Sequence, residues 1–364
     1  MNFGFFKNFL SKGTLGIDIG TASIKVAELS RESGHFKLLN YGIFQLENQE
    51  EAIETKQKIT KLPDQDIVWG IKELISRSGV KSKNVVASIP SFSTFSTTIS
   101  LPYLSEKDLA KAIPFEAKKY VPIPIDEVIL DWSIINLASD HAGGGQALAG
   151  GRVTPTVEVF LAAVPKHETE RYKKIMTAAG LNLAALELEN IALIRSLIGN
   201  DLSPVAIVNI GGRSTSILVV DRGFERISHN YEIGGFEITK SIARSMGVSL
   251  SRAEEFKRTV GLKSDSTKVV GEAMISLLDM IVFESKKTIT TYENNKGAKI
   301  QKVFLSGGVA NMPSFLEYFK SKINLETAIS NPFVRVVYPK ELAKMIPELS
   351  PTFSIAVGLA MREV

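Results

Sequence analysis

The sequence of 364 residues contains no cysteine. That excludes a disulfide framework, a thiolate metal site and a cysteine nucleophile. Histidine is scarce: His35, His141, His167 and His229 stand at no metal-like spacing, which argues against a zinc enzyme. No apolar run reaches the length of a membrane span. The net charge of +4 is small and spread along the chain, too diffuse for a nucleic-acid partner. The first ten residues are aromatic but lack the basic start and small-residue cleavage site of a signal peptide. Phe3, Phe6 and Leu10 can share one helical face, either packed on their own domain or docking on a membrane or partner. The chain reads as cytoplasmic. Apolar residues make up 44% and charged residues 23%, a globular composition, and the length implies two or more domains.

What is present is a pair of matched glycine turns. The first runs from Leu15 through Asp18, Gly20, Thr21 and Ser23 to Lys25; the second runs from Val208 through Asn209, Gly211, Gly212, Ser214 and Thr215 to Leu218. Each joins an apolar strand to a second one through a polar-x-Gly turn followed by small hydroxyl residues. Such a hairpin aims backbone N–H groups and hydroxyls at one spot, which suits a phosphate. Two of them suggest related half-domains gripping one nucleotide. Lys25 follows Asp18 by seven residues; odd spacing on a strand places them on opposite faces unless the turn resets direction. A solvated strand residue is the other reading of Lys25.

Strands are expected at 14–19, 22–30 and 35–46, and a helix at 64–78. The stretch 81–165 breaks this rhythm with strands at 84–89, 94–101, 128–137 and 157–164 and a helix from Ser105, whose Asp108 completes a capping box. Pro114 should kink or interrupt that helix. The glycine-rich segment 140–151 lacks a Gly-Lys-Ser/Thr ending and reads as a mobile hairpin loop, not a P-loop. A helix at 167–180, a strand at 183–188 and a short helix at 190–199 lead to a hinge at 201–204. The strand triplet then restarts at 205–221 and 224–233, an internal repeat. A helical insertion spans 236–299, with a second capping box at Ser251 and Glu254. A strand at 301–306 runs into Gly307 and Gly308, and the last helix spans Ser354 to Arg362.

Turns at 16–25, 208–218 and 305–311, in this order, resemble the phosphate-1, phosphate-2 and adenosine motifs of the actin/heat-shock-chaperone/sugar-kinase ATPase superfamily. The resemblance implies an α/β, actin-like (ribonuclease H-like) duplicated fold of two lobes around an ATP cleft. By it, Asp18 is a magnesium ligand through water, and Gly20, Thr21, Ser23 and Lys25 hold the terminal phosphates. Gly211, Gly212, Ser214 and Thr215 form the second phosphate turn, while Gly307 and Gly308 admit the adenosine and α-phosphate. Asn209 stands where the superfamily usually has Asp; it is neutral, can still hydrogen-bond a coordinated water, and puts hydrolysis in doubt more than binding. The helix 253–259 resembles the chaperone helix that holds the nucleoside, with Glu254 toward the ribose and Lys257 toward the adenine. A charged helix face and a simple cap are the other readings. Glu189, or secondarily Glu187, matches the water-orienting acid of hydrolysing members; an exposed acidic turn fits equally.

The stretch Glu116 to Trp132, with Val121-Pro122-Ile123-Pro124-Ile125 at its centre, resembles the signature of the PilM family of type IV pilus assembly proteins, relatives of FtsA. That resemblance implies an inserted FtsA/PilM-type subdomain. It divides the chain into a first core half (1–80 with 166–200), the insertion (81–165), a second core half (201–235 with 300–364) and a helical nucleotide-side subdomain (236–299). The prolines stiffen an extended segment, and the alternating Val121, Ile123 and Ile125 line an apolar groove or belong to the subdomain core. The implied occupant of a groove is the cytoplasmic N-terminal peptide of PilN, a single-span inner-membrane protein. The implied role is an ATP- and Mg-binding adaptor of weak or no ATPase activity, linking the pilus motor to the PilN/PilO complex at the inner membrane. An active ATPase or kinase and an FtsA-like filament former are the alternatives, and self-association stays open. The sequence ends at Val364 without an FtsA-like amphipathic tail, which favours PilM over FtsA.

Overall fold

The computed structural model describes residues 13–46, 63–137, 146–147, 153–154, 156–263, 268–296 and 298–363. The aromatic N-terminus and most of the glycine-rich segment 140–151 lie outside them.

Strands β1 (Thr14–Ile19), β2 (Ser23–Glu32) and β3 (His35–Gln45) form an antiparallel meander. Helix α1 (Asp64–Ser78) buries Ile67, Ile71 and Leu74 on it and stops at Gly79 in the left-handed region. β4 (Asn84–Ile89) joins parallel to β1. The chain then leaves this sheet for β5 (Phe95–Pro102), α2 (Glu106–Ala117), β6 (Val128–Leu137), a two-strand hairpin of β7 (Gln146–Ala147) and β8 (Val153–Thr154), and β9 (Thr156–Pro165). It returns through α3 (Lys166–Ala178) and β10 (Asn182–Leu188), parallel to β4. After α4 (Glu189–Leu197) a second sheet begins with β11 (Val205–Ile210), β12 (Thr215–Asp221) and β13 (Phe224–Tyr231). Three helices follow, α5 (Gly235–Met246), α6 (Leu250–Thr259) and α7 (Lys268–Lys296). Then come β14 (Lys302–Ser306), α8 (Phe315–Ile323), β15 (Thr327–Ile329), β16 (Val336–Val337) and α9 (Ile346–Ala360).

The first sheet has the order β10-β4-β1-β2-β3-β16, the second β13-β12-β11-β14-β15. In both, an antiparallel triplet is extended on its first strand's side by two parallel strands, and in the first sheet β16 adds a third, parallel to β3. The insertion forms a third sheet, β5-β9-β6, with its own core of Ile99, Leu109, Ile113, Val159 and Leu161.

Several local expectations shift. α2 runs unbroken through Pro114, because burial of Leu109, Ile113 and Ala117 outweighs one lost hydrogen bond near the helix end. Ser105 does cap it, accepting from the Asp108 N–H. α6 is capped by Ser249, not Ser251: the Ser249 hydroxyl accepts from Arg252 N–H at 3.3 Å. α9 starts at Ile346, eight residues before Ser354, and runs through Pro351. The two central helices bridge the division drawn at residue 200, each reaching both sheets. α4 packs on Val205, Ile207, Leu218 and Val220 of the second sheet. α9, with Phe333 and Val336, packs on Ala27, Leu29 and Leu38 of the first.

Candidate functional site

Both glycine turns close in the same way. Gly20 N–H donates to Ser23 C=O at 3.1 Å, and Gly211 N–H donates to Ser214 C=O at 2.9 Å. Their tips touch: a β-carbon on Gly212 would lie 3.0 Å from Thr21 Oγ1 and from Ala22 Cβ. The N-terminus of α5 braces the second turn, with Gly235 and Phe236 N–H groups donating to Gly211 and Gly212 C=O at 2.9 and 2.8 Å. Between the lobes lies a cleft of 530 Å³.

Asp18 is directly opposite Lys25 in the β1–β2 ladder, so both point to one face; an antiparallel hairpin converts the odd spacing into a cross-strand pair. Lys25 Nζ donates to Asp18 Oδ2 at 3.2 Å, and the buried Ser88 Oγ donates to Asp18 Oδ1 at 3.0 Å. Gly307 has φ 85°, and a β-carbon there would sit 2.2 Å from Ile210 O, so glycine is required. Gly308 faces open space. At the other end of the cleft, Lys257 Nζ donates to Glu254 Oε2 at 2.6 Å, Thr239 Oγ1 at 2.9 Å and Gly235 C=O at 3.0 Å. Burial draws the Lys257 amine below the ordinary lysine value, more than Glu254 raises it. Burial pushes Glu254 up, but Lys257 and the bonds from Thr239 and Arg258 outweigh it and hold the carboxyl low.

The cleft brings together Asp18, Gly20, Thr21, Ser23, Lys25, Glu189, Asn209, Gly211, Gly212, Ser214, Glu254, Lys257, Gly307 and Gly308. Thr215 is not among its walls. It is fully buried and its hydroxyl donates to Ile233 C=O at 2.7 Å. Its neighbour Ser216, unforeseen from sequence, lines the cleft instead, opposite Asn209 in the ladder as Lys25 is opposite Asp18. Superposing the two turns by strand register, not by hydroxyl type, would have found it. Arg213, stacked 5.6 Å from the Phe92 ring, and Arg258 also went unforeseen. The two acids at the crossover part company. Glu187 pairs with Arg195 of α4, outside the cleft walls, while Glu189 faces Asp18. In the insertion, Val121 belongs to the subdomain core, Ile123 and Ile125 pack half-buried against it, and Pro122 and Pro124 are exposed. Val121 thus serves the subdomain core, while Ile123 and Ile125 are covered by it only in part.

Glu189 is pushed up to about 7, first by burial and then by the Asp18 charge, with the Ser91 N–H and Lys25 pulling back. A carboxyl raised in the folded state adds stability below the unfolded value of 4.5 and loses it as pH rises through about 7. The shift is worth roughly 3 kcal/mol, and since the cleft leaves Glu189 partly exposed, screening leaves about half of that. Glu189→Gln is therefore expected to match the parent in urea stability near pH 4.5 and exceed it by about 1–2 kcal/mol at pH 8. Equal stability at both pH values would contradict this.

Among the described residues no cluster of three His, Cys, Asp or Glu side chains offers a bare metal cage. Hydroxyls, turn amides and a lysine around Asp18, which Glu189 also faces, fit a polyphosphate carrying a divalent cation with retained waters.

A family model described as Type IV pilus assembly protein PilM matches residues 16–364. The cell division protein FtsA of Neisseria meningitidis serogroup B is 25% identical over 285 residues, which cover 70% of this chain and 66% of that protein. The chain thus spans just under two thirds of that relative's length. A solved PilM-PilN type IV pilus biogenesis complex superimposes with a TM-score of 0.79 at 21% identity, over 96% of this chain and 98% of that one. MreB5 of Spiroplasma citri, solved with AMPPNP bound, gives 0.53 at 12% identity over 96% and 95% of the two chains. The fold is that of the actin-like ATPases, and by the extent of the family match this chain belongs to the PilM family of type IV pilus assembly proteins.

Proposed function

We propose that the protein is a nucleotide-binding adaptor of the pilus assembly machine. It holds Mg-ATP between two copies of one ancestral unit and docks the N-terminal tail of PilN. The observation that carries this reading is the pair of equivalent turns meeting across one cleft, with Asp18 and Lys25 on one side and the neutral Asn209 and Ser216 on the other. Gly20, Thr21, Ser23 and Lys25 would hold one side of the phosphate chain and Gly211, Gly212 and Ser214 the other. Glu254, Lys257, Arg258 and the Gly307–Gly308 backbone would hold the nucleoside. Magnesium, when bound, supplies charge neutralisation to the phosphates, with Asp18 reaching it through water. With Asn209 in place of a second carboxylate, hydrolysis is slow. PilN as partner rests on the solved PilM-PilN relative, and the adaptor would meet the membrane through that partner. No helix among the described residues is long and apolar enough to cross a membrane.

Calorimetric titration with Mg-ATP, alone and with a PilN tail peptide, tests the reading. Binding of both is expected, with ATP intact over hours and each ligand changing the other's affinity by one common factor. Absence of heat with Mg-ATP would remove the nucleotide role; equal ATP affinity with and without peptide would remove the coupling. One observation favours a second reading, slow hydrolysis. Glu189 lies beside Asp18 with a carboxyl poised near neutrality, as a water-orienting group requires. Turnover above background that disappears in Glu189→Ala would establish it.

A further inference from the structure

The inserted sheet is fastened to the second lobe as well as to the first. Ser96 Oγ of β5 donates to Glu225 Oε1 of β13 at 2.7 Å, and Thr98 Oγ1 donates to Glu225 C=O at 3.0 Å. Arg226 Nη1 donates to Glu158 Oε2 of β9 at 2.7 Å. Glu225 also accepts from Ser228 Oγ at 2.7 Å and from Asn190 Nδ2 at 2.8 Å. Asn190 in turn accepts from Ser91 Oγ at 2.8 Å, and Ser91 N–H donates to Glu189 Oε2 at 3.1 Å in the cleft. A second branch leaves the cleft at Ser216, whose hydroxyl donates to Asn230 Oδ1 at 2.6 Å, while Asn230 Nδ2 donates to Ser91 C=O at 3.2 Å. Both branches converge on Ser91, in the short turn that carries the chain from β4 into the insertion.

We propose that Glu225 is a positioning residue at the centre of a buried relay, Glu189–Ser91–Asn190–Glu225–Ser96, which couples the state of the cleft to the inserted subdomain. This deepens the adaptor reading by supplying the route of its coupling. Ser91, Asn190 and Glu225 are 4%, 1% and 3% exposed, so no water substitutes for a lost partner. A buried carboxylate is tolerated only while its donors stay in place. The same two oxygens are held by Asn190, which follows Glu189 at the start of α4, and by Ser96, which belongs to the insertion. Movement of α4 on the cleft side must therefore be followed by β5 or strip the buried carboxylate of one of its three side-chain donors, Asn190, Ser96 and Ser228.

The test is a mutant cycle read by hydrogen exchange at amides 95–101 of the full chain. Glu189→Ala removes the acceptor of Ser91 N–H at the cleft end. It is expected to speed β5 exchange about tenfold in the parent background, and less than about twofold in the Glu225→Gln background. Equal factors in both backgrounds, or none in the parent, would overturn the relay and leave Glu225 as structural glue. Because Glu225→Gln strikes a buried group, Ser96→Ala is the second background. It cuts only the last link, and buried Ile99 and Leu101 keep β5 protected enough to show a response. A matching loss there supports the relay, and an undiminished response there refutes it. Mg-ATP is then added to the parent. Protection of 208–216 reports binding itself, so its absence counts against the nucleotide reading, while the mutant cycle still decides the relay.

Discussion

Gly358→Ala is expected to destabilise the protein by about 3 kcal/mol, the upper end for a one-carbon insertion into a packed core. A β-carbon at 358 would sit 1.9 Å from Ala192 O and 2.6 Å from Ala192 C, all backbone, so no side chain can swing aside. α9 cannot retreat either, because a β-carbon on Gly16 of β1 would lie 2.2 Å from Ala356 O on its opposite face. The helix is held between β1 and α4 with no slack. Parting α4 from α9 also breaks the bond from Arg195 Nη1 to Gly358 C=O at 2.8 Å, and Arg195 is the partner of buried Glu187. The damage reaches the cleft from both helices. α4 begins at Glu189, and Pro351 of α9 accepts from Gly307 N–H at 2.9 Å. Urea midpoints give the measurement, with Gly308→Ala as control. That glycine meets nothing within 4 Å and its replacement should stay within about 0.5 kcal/mol of the parent. Equal midpoints for the two variants would show that the helix crossing yields more readily than its geometry implies.

What the sequence revealed and what it hid follow from the range of each interaction. The turns around Gly20 and Gly211 are local, each closed within four residues, so their motifs read directly. Which side chains face the cleft is a matter of register, and by residue type alone Thr215 and Ser216 cannot be told apart: both carry hydroxyls, and only the pairing of Asn209 with Ser216 separates them. Ser249 and Ser251 are equally good caps by type, and the cap falls where it lets Ala253 and Lys257 turn inward. Pro347 and Pro351 hid the first half of α9; one lies in the first turn and the other inside a helix that burial of its face sustains. The alternation of Val121, Ile123 and Ile125 is the same whether it lines a groove or closes a core, and the packing on Leu109 and Val159 is invisible in it. The placement of Phe333 and Phe353 on the first sheet is a long-range contact without any local signal.

Lys25→Ala should give the largest functional loss, with two readouts that move independently. Asp18 is 3% exposed; without Lys25 it loses its ion pair, while the Ser88 hydroxyl still donates to it. Removing one partner of a buried pair leaves an uncompensated charge and costs about 3 kcal/mol of stability. Mg-ATP affinity should fall about 100-fold, the scale of a charge-assisted bond to phosphate lost from an enclosed site. The two losses have different causes, and Asp18→Asn added to Lys25→Ala separates them. Neutralising Asp18 removes the stranded charge, so the double variant should regain most of the stability, by about 2 kcal/mol. Under the proposed function it should regain none of the affinity, because the cation proposed to face the phosphates is still missing and the proposed magnesium ligand has been lost too. Recovery of both would mean that Lys25 acts on nucleotide only through the fold. Recovery of neither would mean that Asp18 is stabilised by the turn itself and that the pair is a consequence of the hairpin, not its support.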